Sequence, residues 1–203
     1  MIEYISHRVN KKEELLKTPF KYGVELDLRD GLDGRVYIEH NPFTGGEDFE
    51  EYLKEYHHGT MILNVKSERI EEKVLELVHK YDVKSYFFLD SSFPMIFLLS
   101  SKGISDTAIR FSEYEGLDTI CNMAGKVKWV WVDCFTKMPL TAEIFAQLKK
   151  WGYKVCIVSP ELQGQAEKIE AYAEMLKEQN ICPDAICTKQ YQMKRWMNFF
   201  PEK

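Results

Sequence analysis

Short β-rich runs alternate with helical patterns along almost the whole sequence, and this alternation limits the fold more than any other feature. Eight runs can be counted, at residues 2–6, 22–27, 60–65, 85–89, 107–111, 128–132, 154–158 and 184–188. Apolar residues at helical spacing follow most of them, for example in residues 68–81. Eight β-α units predict a compact (β/α)8 TIM barrel, with residues 1–203 as a single α/β domain. An open, doubly wound α/β sheet is the alternative.

The composition excludes several classes of protein. A chain of 203 residues with 45% hydrophobic and 13% aromatic content can build a proper core. A net charge of -5 gives no electrostatic reason to expect nucleic-acid binding. The apolar stretches are too short for a membrane span, and the N-terminus does not resemble a signal peptide. Five scattered cysteines without a C-x-x-C motif fit reduced thiols, so we expect a cytoplasmic protein.

Polar residues stand where the first extended runs end: His7, Arg8, Glu25, Asp27, Arg29 and His40. Residues two apart in a strand point to the same side, so Glu25, Asp27 and Arg29 would share one face. Two buried carboxylates on one face repel each other and need a cation, a proton or a basic partner. An acid pair, two imidazoles and an arginine at strand ends predict a phosphate-handling site, with or without a divalent metal.

The later runs also end in polar residues, and a parallel barrel would bring all these ends to one mouth. They are Asn64, Lys66, Asp90, Arg110, Ser112, Glu113, Asp133, Cys134, Ser159, Glu161 and Lys189. Structural interpretations compete at several positions. Asp90 suits the N-cap of the next helix, and Cys134 suits the core or a pocket wall. The triplet Glu25, Asp27 and Arg29 could be an ion-pair ladder within one strand.

Four pieces of the first 66 residues carry a family resemblance. They are Ile5-Ser6-His7-Arg8, Gly23-Val24-Glu25-Leu26-Asp27-Leu28, the Asp33-Gly34 turn before Val36-Tyr37-Ile38-Glu39-His40, and Leu63-Asn64-Val65-Lys66. In this order they resemble the glycerophosphodiester phosphodiesterases, within the phospholipase-C-like phosphodiesterase barrels. Residues 154–158 and 183–188 are similar to the end of the same barrel.

The resemblance implies hydrolysis of a small glycerol- or sugar-linked phosphodiester at a divalent cation, calcium or magnesium, and a place in lipid metabolism. It assigns metal binding to Glu25 and Asp27, acid–base catalysis to His7 and His40, and phosphate binding to Arg8 and Lys66. Carboxylates are hard oxygen ligands for such cations. The two imidazoles would work on opposite sides of the phosphorus, and the two cations would bind the phosphate and its transition state.

Three positions depart from the family pattern. Val9 stands where the family has a glycine, and Asn41 follows His40 where an aspartate is usual. Asn64 replaces a third acidic metal ligand; its carbonyl oxygen can coordinate a cation but brings no charge. A variant enzyme is the preferred interpretation, because both histidines, the arginine, the acid pair and the lysine occur together. The alternatives are a catalytically inactive barrel that binds a phosphorylated metabolite, and a metal-independent enzyme.

Overall fold

The computed structural model describes residues 2–201, in which strands and helices alternate. The strands are β1 (Glu3–Ser6), β2 (Gly23–Asp30), β3 (Val36–Ile38), β4 (Glu47–Asp48), β5 (Met61–Val65), β6 (Tyr86–Leu89), β7 (Ala108–Phe111), β8 (Trp129–Val132), β9 (Lys154–Val158) and β10 (Ala185–Thr188). The helices are α1 (Lys12–Lys17), α2 (Phe49–Leu53), α3 (Glu71–Lys80), α4 (Phe93–Ser101), α5 (Asp118–Asn122), α6 (Ala142–Lys150), α7 (Ile169–Glu178) and α8 (Met193–Met197).

Eight parallel strands follow one another around a barrel in the order β1, β2, β5, β6, β7, β8, β9 and β10. The first strand also pairs with the last, which an open doubly wound sheet does not do. Between β6 and β7 the pairing is reduced to a single parallel bridge of Phe88 with Thr107, where the Phe88 N–H donates to the Asp106 carbonyl (2.9 Å). The predicted (β/α)8 fold is confirmed.

A hairpin extends the sheet beyond the barrel after β2. Strand β3 pairs antiparallel with the end of β2, and β4 pairs antiparallel with β3. Gly46 permits this close approach, because a Cβ atom there would lie 2.4 Å from the carbonyl oxygen of Ile38. The strand predicted for residues 36–40 ends at Ile38, so His40 lies on the connection beyond the hairpin strand.

Strand alternation divides the core into an inner and an outer part. Trp129 and Trp131 belong to the apolar cluster inside the barrel, whereas Val130 packs on the helix side, as the sequence predicts. The Trp129 ring stacks on Phe87 with centroids 4.5 Å apart. On β2 the same alternation sends Leu26 outward, with the other apolar residues of that strand, to the helices. The residues between them, including the acid pair, therefore face the barrel axis.

Helix starts differ from the sequence-based bounds where side chains bind the backbone. The sequence favours a short helix that begins at Tyr114 or Glu115, but α5 begins at Asp118. The Ser112 hydroxyl oxygen accepts from the N–H groups of Tyr114 and Glu115, which fixes a turn there instead. The closing helix predicted for residues 191–199 is shorter, spanning Met193–Met197. No helix within residues 2–201 is long and apolar enough to cross a bilayer.

The sequence favours Thr141 as the N-cap of helix α6, and this position offers a test of the fold. Thr141 accepts a hydrogen bond at its Oγ1 from the Ile144 N–H (3.3 Å). We expect Thr141→Ala to lower the free energy of unfolding by about 1 kcal/mol, because the first turn loses this acceptor. Thr141→Ser keeps the acceptor and is the matched control. Urea denaturation of the three proteins checks this, and equal stability of the alanine and serine variants would contradict it.

Candidate active site

The turn after β1 wraps around the end of β2. Arg8 adopts a left-handed backbone conformation, with φ of 56°, at the position before the one where the family has its glycine. Its N–H donates to Glu25 Oε2 (2.7 Å), and the Val9 N–H donates to the Glu25 carbonyl (2.8 Å). Tyr52 completes the turn by donating from its hydroxyl to the Val9 carbonyl (2.9 Å). The backbone that carries His7 and Arg8 is therefore fixed directly to one member of the acid pair.

Glu25 and Asp27 are both buried, at 1% and 0% exposure. Asn64 donates from Nδ2 to Glu25 Oε1 (2.7 Å). Asn10 holds Asp27 in two places, since its Nδ2 donates to Asp27 Oδ2 (2.8 Å) and its Oδ1 accepts from the Asp27 N–H (3.0 Å). Asn10 is not predicted from the sequence, where its only signal is its place in the turn after the His-Arg pair. The acid pair is thus positioned by two asparagines, Asn10 from the turn after β1 and Asn64 from β5.

Two cationic side chains lie beside Asp27. Arg8 Nε is 3.5 Å from Asp27 Oδ2, and Lys66 Nζ is 3.6 Å from Asp27 Oδ1. Lys66 also bonds to Asp90 Oδ2 at 3.2 Å. The sequence interpretation of Asp90 as a helix cap is wrong, because Ser92 occupies the N-cap position of α4 and Asp90 pairs with cations. Both predicted phosphate-binding residues therefore reach the acid pair.

Burial is the largest cause of the shifted pKa values of Glu25 and His7. Burial, together with the charge of Asp27, raises the pKa of Glu25 to about 7. His7 Nε2 lies 3.6 Å from Glu25 Oε2. Burial and the nearby cations, first Lys189 and then Arg8, lower the pKa of His7 to about 3. Near neutral pH the His7 imidazole is therefore uncharged.

His40 lies on the hairpin connection rather than on a barrel strand. Its Nδ1 is 3.2 Å from Asn41 Oδ1. Arg29 connects this segment to the barrel, because its guanidinium donates to the carbonyls of His40 (2.8 Å) and Lys66 (3.0 Å). The ladder interpretation is therefore wrong for Arg29, which binds these main-chain oxygens. His40 does not line the cavity described next, although its charge contributes to the lowered pKa of His7.

Two cavities flank the His7–Arg8 turn at the C-terminal ends of the strands. The larger cavity, about 450 Å³, is lined by the ends of β6 to β9 and by four of the predicted site residues, His7, Arg8, Asn64 and Lys66. Its polar lining is His7, Arg8, Asn64, Lys66, Asp90, Arg110, Glu115, Asp133 and Gln163. The smaller cavity, about 250 Å³, lies on the side of α1 and β10, where Lys17, Lys189 and Tyr191 line it. His7 and Arg8 line both cavities, so they separate them.

The buried acceptors of the site fit a hard cation. Within residues 2–201, Asp27 Oδ1 and Asn64 Oδ1 are buried and have no hydrogen-bond partner. A buried unsatisfied acceptor is costly, and oxygen ligands of this kind suit calcium or magnesium. No group of three His, Cys, Asp or Glu side chains forms a metal cluster in the described part of the chain. The residues that could hold a cation are therefore Glu25, Asp27 and Asn64 through its amide oxygen, with one charge fewer than three carboxylates.

Comparison with known proteins gives matches at the level of structure. No protein-family model matches the sequence, and neither does any curated protein sequence. A predicted glycerophosphoryl diester phosphodiesterase from Agrobacterium tumefaciens strain C58 superposes with a TM-score of 0.72, covering 100% of both chains at 13% identity. A glycerophosphodiester phosphodiesterase from the same strain gives a TM-score of 0.65 at 17% identity, covering 92% of this chain and 96% of that one.

This chain has the fold of the glycerophosphodiester phosphodiesterases. At such low identities the likeness concerns the fold, and it agrees with the family to which the sequence motifs point. The roles of individual residues rest on the local geometry described above.

The two hydrogen bonds between Asn10 and Asp27 lead to a stability prediction. Asn10→Ala removes two hydrogen bonds from Asp27, one to its buried carboxylate and one from its backbone N–H, so we expect the free energy of unfolding to fall by roughly 1–3 kcal/mol. Asn122→Ala, at an exposed position of α5, is the matched control and should change stability little. Chemical denaturation measures both. A loss no larger than that of the control would mean that Asn10 does not hold Asp27.

Proposed function

We propose that this protein is a phosphoric diester hydrolase that acts on a small glycerol- or sugar-linked phosphodiester with the help of a divalent cation. One observation supports this most strongly. His7, Arg8 and Lys66 line a cavity at the C-terminal mouth of the barrel, and each lies within 3.6 Å of a carboxylate oxygen of the buried pair Glu25 and Asp27. Active sites of such barrels lie at this end of the strands.

The proposed cation, calcium or magnesium, would be held by Glu25, Asp27 and Asn64. Asp27 Oδ1 and Asn64 Oδ1, which are buried and accept no hydrogen bond, support this set. When bound, the cation would stabilise negative charge on the phosphate oxygens. Because Asn64 brings no charge, we expect weaker binding than in a site with three acids. The substrate phosphate itself can contribute the missing negative charge.

The remaining residues would bind the phosphate and move protons. Arg8 can present two N–H groups to phosphate oxygens, and Lys66 adds a point charge on the side of β5. His7 and His40 would divide the acid and base roles, one assisting the attacking group and the other protonating the leaving alcohol. The attachment of Arg29 to the carbonyls of His40 and Lys66 supports a fixed relation between the hairpin and the barrel mouth.

The two cavities favour a diester over a monoester. A phosphodiester carries an alcohol on each side of the phosphorus, and His7 and Arg8 stand between a cavity of about 450 Å³ and one of about 250 Å³. A phosphate bound at this turn could place one alcohol in each cavity. A monoester would need only one of them.

A second candidate follows from the cations beside Asp27. Arg8 and Lys66 already lie 3.5 and 3.6 Å from its carboxylate oxygens, so basic side chains can offset part of the acid pair's charge. On this basis the barrel could act without metal, or could bind a phosphorylated metabolite without hydrolysing it. The dependence on metal separates these possibilities from the first proposal.

The first experiment measures hydrolysis of several glycerophosphodiesters and of a nitrophenyl phosphodiester with calcium, with magnesium and with chelator. We expect turnover with a divalent cation and loss of turnover after chelation. Activity that persists in chelator would contradict the role of the cation. Absence of turnover on every substrate by folded protein would contradict the hydrolase proposal and favour the binding barrel.

The histidines are tested with alkyl and nitrophenyl diesters. We expect His7→Ala and His40→Ala each to lower kcat on alkyl diesters by about 10²- to 10⁴-fold. A nitrophenolate leaves without protonation, so the variant that lacks the general acid should retain activity on the nitrophenyl diester. His57→Ala is the control, since His57 lies with Thr60 at the opposite end of the barrel. Unchanged turnover in both site variants would refute the assignment.

The departure at Asn64 gives a prediction about metal affinity. Asn64→Asp adds a third carboxylate at nearly constant volume, so we expect calcium to bind at least about tenfold more tightly. Without metal the variant should melt at a lower temperature, because three carboxylates then repel one another. Isothermal titration and thermal melts with and without calcium check both effects. Unchanged calcium affinity would exclude position 64 from the metal site.

A further inference from the structure

Lys189 is a cation at the mouth of the barrel that the proposed chemistry does not use. It directly follows β10, and its Nζ donates to the carbonyl of His7 (3.0 Å). Strand pairing puts it there, because β1 and β10 pair up to Ser6 and Thr188, and the His7 N–H donates to the Thr188 carbonyl (2.9 Å). Since β1 lies between β10 and β2, Lys189 flanks His7 on the side away from the acid pair.

The ammonium group of Lys189 has no counterion among residues 2–201. Arg8 and Lys66, the two cations already assigned to the phosphate, both lie beside Asp27. Lys189 forms no ion pair within the described chain, and its one hydrogen bond is to the neutral His7 carbonyl. An ammonium group has three donors, so two of them are left to solvent or to a bound anion. A half-buried cation without a counterion attracts an anion.

Glu161 fixes the backbone that carries Lys189. Its Oε1 accepts from the Lys189 N–H (3.0 Å) and from Thr188 Oγ1 (2.5 Å), and the Ser159 hydroxyl donates to its Oε2. Trp196 donates from Nε1 to Ser159 Oγ (2.6 Å). Because Ser159, Thr188 and Trp196 are fully buried, the core sets the position of this carboxylate. A lysine held at both its main chain and its ammonium group is preorganised to bind an anion.

The smaller cavity gives an anion access to Lys189. His7, Arg8 and Lys189 all line it, and its acidic residue, Glu14, bonds to the backbone at the start of α1 instead of pairing with Lys189. His7 and Arg8 also line the larger cavity, where Lys66 lies. A phosphate bound at the His7–Arg8 turn would therefore meet one lysine from each cavity.

We propose that Lys189 is a third phosphate-binding cation of this site, and that Glu161 is the residue that positions it. This inference rests on the proposed function for the place of the phosphate. Lys189 would bind a nonbridging phosphate oxygen from the smaller cavity, while Lys66 binds from the larger one and Arg8 from the turn between them. Cations on two sides would hold the phosphorus in one orientation toward the attacking group.

Phosphate binding is the first part of the test. Inorganic phosphate is titrated calorimetrically into the intact protein, once with magnesium and once with chelator. We expect Lys189→Met to weaken phosphate binding by about tenfold or more, because it removes a charge-assisted hydrogen bond, and Lys189→Arg to keep most of the affinity. Lys17→Met is the matched control, since Lys17 lines the same cavity but pairs with Glu13. An equal effect of the two methionine substitutions, or no phosphate binding by the unmutated protein, would overturn the inference.

The positioning role of Glu161 is tested with Glu161→Gln and Glu161→Leu. Both variants lose the same charge, but glutamine keeps an oxygen that can accept from the Lys189 N–H and the Thr188 hydroxyl. We expect Glu161→Leu to weaken phosphate binding severalfold and Glu161→Gln to leave it near the original value, although neither variant removes a cation. Thermal melts establish that both are folded. Equal phosphate affinity of the two variants would refute the positioning role.

Turnover separates this inference from the hydrolase proposal. We expect Lys189→Met to lower kcat/KM for glycerophosphodiesters by about tenfold or more. Phosphate binding that depends on Lys189, without turnover on any diester, would overturn the hydrolase proposal and leave the role of Lys189 standing. Turnover and phosphate affinity that are both unchanged in Lys189→Met would overturn the role of Lys189 and leave the hydrolase proposal standing.

Discussion

The burial of two carboxylates side by side at the top of the barrel is the constraint on which the rest of the site depends. Glu25 and Asp27 face inward because β2 alternates, and their neighbours on the strand fill the helix-side core. Removing them from water is unfavourable unless donors and cations surround them. Asn10 and Asn64 supply donors from adjoining segments, while Arg8 and Lys66 supply charge. The geometry of the mouth follows from satisfying this pair.

Local pattern was sufficient to predict the barrel strands and their order, because each strand is a short apolar run followed by a helix. It was insufficient to predict the start of a helix where a side chain forms hydrogen bonds with the backbone. At residues 112–115 the Ser112 hydroxyl holds two N–H groups, so the helix starts later than its apolar spacing indicates. The hairpin strand likewise stops at Ile38, since pairing with β4 ends at Glu47, and this register depends on a segment distant in the sequence.

The residues of the candidate site that stand at the ends of strands could be predicted from the sequence. His7, Arg8, Asn64 and Lys66 were expected at one mouth, and they line one cavity. The function of Asp90 was misjudged because its partners, Lys66 and Arg110, come from strands on either side of it, and only the closed sheet makes them neighbours. Contacts of this kind depend on tertiary structure and leave no periodic signal in the sequence.

The hairpin that carries His40 has a consequence for how damage to this protein would be detected. Its strands extend beyond the eight-stranded ring, and Arg29 ties the His40 carbonyl to the mouth by hydrogen bonds rather than by core packing. Strand β3 itself is anchored in the core through Val36 and Ile38, whereas the residues beyond it depend on these hydrogen bonds, so they can open locally without unfolding the barrel. A melting curve reports the ring and its core, and it would change little in a molecule in which only the segment beyond β3 no longer presents the second imidazole.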